Sequence, residues 1–207
     1  MYNPEQYVQS HPQLKQSLID LASWLAPEHE GEHTHWLLGG SCGLLLQGIP
    51  LEEAPRDIDL YADGDAVNLL HKQLQAHAVV LDGPEQNETR MYRSILSHYQ
   101  AGDYKVELVG DFEVRARESY YRVHIDRNLY NHAPVVALNG CSLALMPLAH
   151  ELIFNLLRDR RDRYERIAEH MAAEPEHHRE LVKQIIAANG FHPQMIQRIY
   201  KLTGIDN

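Results

Sequence analysis

Asp57 and Asp59 stand two residues apart in the run Arg56-Asp-Ile-Asp-Leu60, and this spacing is the clearest chemical signal in the chain. The run alternates polar and apolar residues, as a half-buried strand does. Both carboxylates then point to one side, about 6.6 Å apart at the backbone, while Ile58 and Leu60 point to the other. Two carboxylates on one rigid face repel each other and favour a divalent cation between them. Oxygen-only donors suit Mg2+ (or Mn2+), which keeps positions open for phosphate oxygens. A third acid would complete a two-metal site. On the run Tyr104–Val109, Glu107 shares a face with Lys105 and Val109. Asp111 and Glu113 continue that face and are rivals for the role. Alternating acids are also the ordinary solvated face of a half-buried sheet, so the pair alone does not decide.

Upstream, Gly39-Gly40-Ser41 follows the apolar Trp36–Leu38 and precedes the apolar Leu44–Leu46. Glycines in a strand-to-helix turn let the backbone approach a phosphate, and the N–H groups that open the helix face it. A glycine turn, a short helix and an acid-x-acid strand in succession are more specific than any one of them.

Taken together, Leu38-Gly-Gly-Ser41 and Arg56-Asp-Ile-Asp-Leu60 resemble the signature of the nucleotidyltransferase superfamily, and most of all its small bacterial members. The stretch LALMPLAHELIFNLLRDRRD, residues 143–162, is similar to the helix that follows the sheet in those members, so the likeness spans roughly residues 36–162. The resemblance implies Gly39, Gly40 and Ser41 at the nucleotide phosphates. It implies Asp57, Asp59 and Glu107 as metal ligands and catalytic residues. The implied reaction moves a nucleoside monophosphate from a nucleoside triphosphate (NTP) to the hydroxyl of a small-molecule or protein acceptor. Arg56 would counter phosphate charge, with Arg90, Arg93 and Lys105 as weaker candidates. The chain departs from its relatives in carrying fifteen residues between Ser41 and Asp57. It also has Asn155 where they often carry lysine, and Arg161-Asp162 where they often carry Lys-Asp. The alternative is a non-catalytic binding or regulatory protein of the same fold, paired with another chain as in toxin–antitoxin systems. The apolar stripe Ile153, Leu156 and Leu157 would then be its partner surface.

The elements that must position these residues follow from periodicity. Leu14, Leu18, Leu21, Ala22 and Leu25 predict a helix over 11–26, and Val67, Leu70 and Leu74 another over 65–77. Strands are predicted at 36–38, 57–61, 91–100 and 104–114, with Ala101-Gly102-Asp103 as a hairpin turn, and further ones around 121–125 and 135–138. Residues 148–171 read as one long helix, 176–188 as a second ended by Asn189-Gly190, and 193–202 as a third. The expected architecture is α/β (α+β): a nucleotidyltransferase-like mixed sheet flanked by helices over residues 1–146, with a C-terminal helical subdomain over 147–207.

Composition narrows the classes. Of 207 residues, 19 are Lys or Arg and 29 Asp or Glu, a formal charge of −10. A protein that grips a long polyanion presents a basic face, so a long nucleic acid is disfavoured, whereas a nucleotide's charge can be met by bound metal. The one local basic cluster is Arg158-Asp-Arg-Arg-Asp-Arg163. The opening run MYNPEQYVQSHPQLKQ has neither the basic nor the apolar region of a secretory signal, and no apolar stretch is long enough to span a bilayer. The expectation is a cytoplasmic protein with no membrane partner, with Cys42 and Cys141 as reduced, buried thiols. The 14 histidines, including His29, His33, His35 and His177-His178, read as surface residues; His150-Glu151 lacks the second histidine of a zinc helix, since Phe154 stands four positions on. The sequence carries no marker of oligomeric state, and an oligomer or a protein partner stays open.

Overall fold

The computed structural model describes residues 4–26 and 34–206. Helices α1 (Pro4–Ser10) and α2 (Pro12–Trp24) precede strand β1 (Leu37–Gly39), the short helix α3 (Gly40–Leu46) and strand β2 (Asp57–Ala62). Helix α4 (Gly64–Gln75) leads to strands β3 (Val79–Glu88), β4 (Tyr92–Ala101), β5 (Tyr104–Ala116) and β6 (Ser119–Arg122). A π-helical turn over Ile125–Leu129 precedes the hairpin of β7 (Val135–Leu138) and β8 (Cys141–Ala144). Helices α5 (Leu148–Leu157), α6 (Arg161–Ala173), α7 (Pro175–Ala188) and α8 (Pro193–Thr203) complete the chain.

The main sheet runs β1-β2-β5-β4-β3, with β6 on the far end of β5. It is mixed: β2 and β5 are parallel, and the other neighbours antiparallel. Helices cover both faces. Ile58 and Leu60, with Val106 and Leu108, point to the side where Leu14, Leu18 and Leu21 of α2 and Leu70 and Leu74 of α4 are buried. Tyr61, Val109 and Phe112 point to the other side and pack against Leu152, Ile153 and Phe154 of α5. A strand presents alternate faces, so one residue of offset in β2 would send the acids into the first core.

Several expectations hold. The strand bearing Asp57 and Asp59, the β4–β5 hairpin and the Gly102 turn (φ +59°) form as the patterns predict. Others need correction. The long helix over 148–171 is broken: α5 ends at Leu157, Asp159 takes a left-handed φ of +60°, and Arg160 N–H returns to the Asn155 carbonyl at 2.9 Å. Apolar periodicity runs through the break, and the turn contains no glycine or proline to mark it. Strand β3 is not among the predicted strands, and Asp82-Gly83-Pro84-Glu85 punctuates it. It is an edge strand with two register shifts, where such residues are tolerated. Asn189-Gly190 is no helix-capping glycine turn: Asn189 is extended and Gly190 pairs with the Tyr120 backbone. The strand expected over 121–125 lies at Ser119–Arg122, and β8 was not anticipated. The stripe Ile153, Leu156 and Leu157 is buried in the core, so it offers no partner surface. Among the described residues, no helix is long and apolar enough to cross a membrane.

Candidate active site

Sheet register assembles the site. Gly39 of β1 lies opposite Asp59 of β2, and Asp59 opposite Glu107 of β5. The strand pairing therefore sets the glycine turn, an aspartate and a glutamate in one row. Asp57 stands one pleat away on the same face. One oxygen from each of Asp57, Asp59 and Glu107 falls within 4.8 Å of the others, and among the described residues no other group of acids, histidines and cysteines gathers this way.

The rival acids are engaged elsewhere. Asp111 accepts from Gly64 N–H at 3.0 Å, and Glu113 is buried among Arg93, Arg115 and Arg122. Arg56 does not reach the site. Its side chain is 81% exposed and pairs with Glu53 at 2.7 Å. Lys105 holds Glu107 Oε1 at 2.9 Å, and His98 Nε2 lies 3.4 Å from the same oxygen.

The glycine turn is required by sterics. Gly40 has φ +57°, and a Cβ there would stand 1.8 Å from Asp59 Oδ2. The absent side chain is what lets the turn lie against the carboxylate. The Gly40 N–H donates to Glu151 Oε1 at 2.8 Å, so this amide serves the fold rather than a ligand. Ser41 lines the cleft, and its Oγ accepts from Arg163 Nη2 at 2.9 Å.

Glu151, Arg158 and Arg163 are site residues that the motif pattern passed over. Glu151 is 2% exposed in a helix whose ten residues are all buried. An acid in a mostly apolar helix was a readable signal, as was the basic cluster 158–163. What the pattern hid is the bend after α5 that brings Arg158 and Arg163 to the cleft. Burial, partly offset by the Gly40 N–H, holds the Glu151 carboxyl at about 7. Asp59 is also raised to about 7, first by burial and then by Asp57 and Glu107. Burial likewise raises the Cys42 thiol well above its usual range, behind the same aspartates. Cys141 is half-buried, and both cysteines are free.

Together these groups surround a cleft of about 320 Å³. Its acidic wall is the carboxylate cluster, its cationic wall Arg158 and Arg163, and its apolar wall Tyr92, Phe112 and Phe154.

The histidines are mostly structural. His35 stacks on Tyr130 and bonds Asp126 at 2.8 Å, while His29 and His33 lie outside the described residues. His177 and His178 meet edge to face, with His178 lowered to about 4 chiefly by burial. His150 is a correction to the surface expectation. It is fully buried, bonded to the Tyr121 hydroxyl at 2.8 Å, and lowered to about 3 by burial.

No protein-family description matches the chain, and no curated protein matches it in sequence. Solved structures do. A candidate nucleotidyltransferase from Thermotoga maritima superposes with a TM-score of 0.60 and 20% identity, over 79% of this chain and 95% of that one. The antibiotic-resistance factor ANT(2'')-Ia, in complex with adenylyl-2''-tobramycin, superposes with a TM-score of 0.44 and 14% identity, over 86% of this chain and 96% of that one. The second likeness is too distant to carry an argument. The first shows the fold, which is that of the nucleotidyltransferases: a mixed sheet flanked by helices. Fold does not by itself assign chemistry, which has to be argued from the site.

Proposed function

We propose that this chain is a metal-dependent nucleotidyltransferase, moving a nucleoside monophosphate from an NTP to the hydroxyl of a small-molecule or protein acceptor. The observation that carries the reading is the three-carboxylate cluster set level with a glycine turn.

The residues present fit a divalent cation. All three donors are carboxylate oxygens, the hard ligands that Mg2+ or Mn2+ takes. The Asp59 carboxyl is raised first by burial and then by repulsion from Asp57 and Glu107, and a cation would favour its charged form. Gly40, having no side chain, lets the turn lie directly against Asp59 Oδ2. Asp57, Asp59 and Glu107 would hold the metal, which supplies charge neutralisation at the α-phosphate and at the leaving pyrophosphate.

The chain's own groups do the rest. Arg163, already bonded to Ser41, and Arg158 on the same cationic wall are placed to hold triphosphate oxygens. Tyr92, Phe112 and Phe154 exclude water from that wall. The acceptor oxygen bonds to the α-phosphorus, the α–β phosphoanhydride bond breaks, and pyrophosphate leaves. The hydroxyl proton passes to a cluster carboxylate, for which Glu107, at the edge of the cluster, is best placed.

The test is incubation with Mg2+, each labelled triphosphate and pools of small-molecule and protein acceptors. Pyrophosphate release that depends on both metal and acceptor is expected. Release that persists undiminished in both Asp57→Ala and Asp59→Ala would contradict the reading.

A further inference from the structure

A second cavity adjoins the cleft. Its volume is about 970 Å³, and Arg158 lines both. The two also meet along the start of β4, where Tyr92 faces the cleft and Met91 the second cavity. Met91, Leu157 and Tyr120 give the second cavity an apolar lining, and the Tyr120 ring is exposed. Four arginines surround this lining, at positions 90, 115, 117 and 158, against only Glu118 and Asp159.

Two of those arginines are neutralised. Arg117 pairs with Asp159 at 2.9 Å and Arg115 with Glu113 at 3.4 Å. Arg115 also lies 5.8 Å from the Tyr120 ring centre. Among the described residues, Arg90 and Arg158 pair with no carboxylate. Arg158 instead lies over the Phe154 ring at 4.3 Å and donates to Asn155 Oδ1 at 3.3 Å. In a chain of formal charge −10, Arg90 thus stands unneutralised beside the apolar lining, while Arg158 makes no ion pair and acts on Asp59 and Glu151 from a longer range.

We propose that the second cavity seats the acceptor, and that this acceptor is a small molecule carrying a phosphate or carboxylate on an apolar or aromatic body. The inference rests on the nucleotidyl-transfer reading of the adjoining cleft. A guanidinium matches the two oxygens of such an anion with two parallel hydrogen bonds, which an uncharged acceptor cannot accept as strongly. The flat body lies on Tyr120 and Met91, where burial of apolar area favours it. Arg158, common to both cavities, then stands between the acceptor's anion and the triphosphate and offsets the repulsion between them. The transferred group, the bond broken and the proton follow the scheme given above, with the acceptor hydroxyl entering from the Arg158 side.

Phenyl phosphate is the probe, with phenol as its uncharged match, each titrated into the full chain while the Tyr120 ring is followed by NMR. Saturable binding of phenyl phosphate at Tyr120 is expected. It should weaken about tenfold or more in Arg90→Gln, a change at an exposed side chain, and be no weaker in Asp57→Asn. Phenol binding as tightly as phenyl phosphate overturns the proposal, as does Arg90→Gln binding as well as the wild type. A short single-stranded RNA that binds more tightly than phenyl phosphate, through Arg90, overturns it in favour of a polynucleotide acceptor. ATP with Mg2+ is titrated into the same proteins. If it fails to bind the wild type while phenyl phosphate behaves as expected, the nucleotidyl-transfer reading fails and the anion site stands.

Discussion

Asp59→Asn is expected to abolish measurable transfer while making the metal-free protein more stable. The two effects have one cause. Asp59 is largely buried beside two other carboxylates, and its carboxyl is raised to about 7 by burial, Asp57 and Glu107 in that order. In the unfolded chain the same group titrates near 4. A carboxyl whose folded value is raised stabilises the fold fully below the unfolded value. That contribution is lost as pH rises through the folded value. Above pH 7 the wild type therefore carries an ionised Asp59 that the fold disfavours, and asparagine removes it at constant shape. The melting temperature of the metal-free variant should exceed the wild type's by on the order of 5 °C at pH 8, and the gap should close as pH falls towards 4. Activity moves the other way. Losing even an outer partner of a metal ligand weakens metal binding about 10–100-fold, so losing the ligand should lower activity by more than about 100-fold. A variant less stable than the wild type at pH 8 would show that the Asp59 charge holds the fold together.

Gly40→Ala is expected to remove both activity and much of the stability. The new Cβ would stand 1.8 Å from Asp59 Oδ2. That is far inside van der Waals contact, and the left-handed φ of +57° adds strain for any side chain. The backbone term is roughly 1–2 kcal/mol, and forcing atoms into a packed site adds about 1–3 kcal/mol. Asp59 sits on a central strand with Ile58 and Leu60 locked behind it, so the turn is the part that must move. The Gly40 N–H to Glu151 bond would break with it and leave a buried carboxylate without its backbone donor. Chemical denaturation should show a loss of about 3 kcal/mol, and transfer should vanish even where the protein is folded. Full activity in this variant would mean that the turn does not abut the carboxylate cluster.

The acidic pair was easier to place from the sequence than its setting. Asp57 and Asp59 were legible because a two-residue spacing on an alternating strand fixes their common face. Glu107 was legible as a candidate only, since nothing local distinguishes it from Asp111 and Glu113. Strand register sets Glu107, and not Asp111 or Glu113, opposite Asp59. The broken helix after Leu157 left no trace, because Arg158-Asp-Arg-Arg is as compatible with helix as with a bend. A single residue at φ +60° is a tertiary outcome, reinforced by the Arg117–Asp159 pair from across the molecule. Arg158 and Arg163 were therefore visible as charge but not as cleft residues. The orientation of Arg56 was hidden for the complementary reason. Arg56 adjoins Asp57 in sequence, yet the residue before the strand turns its side chain to Glu53 and solvent.

The central claim, that the carboxylate cluster binds divalent metal together with a triphosphate, is tested most directly by calorimetric titration. Mn2+ is titrated into the wild type and Asp57→Asn, each with and without a non-hydrolysable ATP analogue. Saturable Mn2+ binding to the wild type, strengthened by the analogue and lost in Asp57→Asn, is the predicted result. Equal binding by the two proteins, or no binding by the wild type in the analogue's presence, would contradict it.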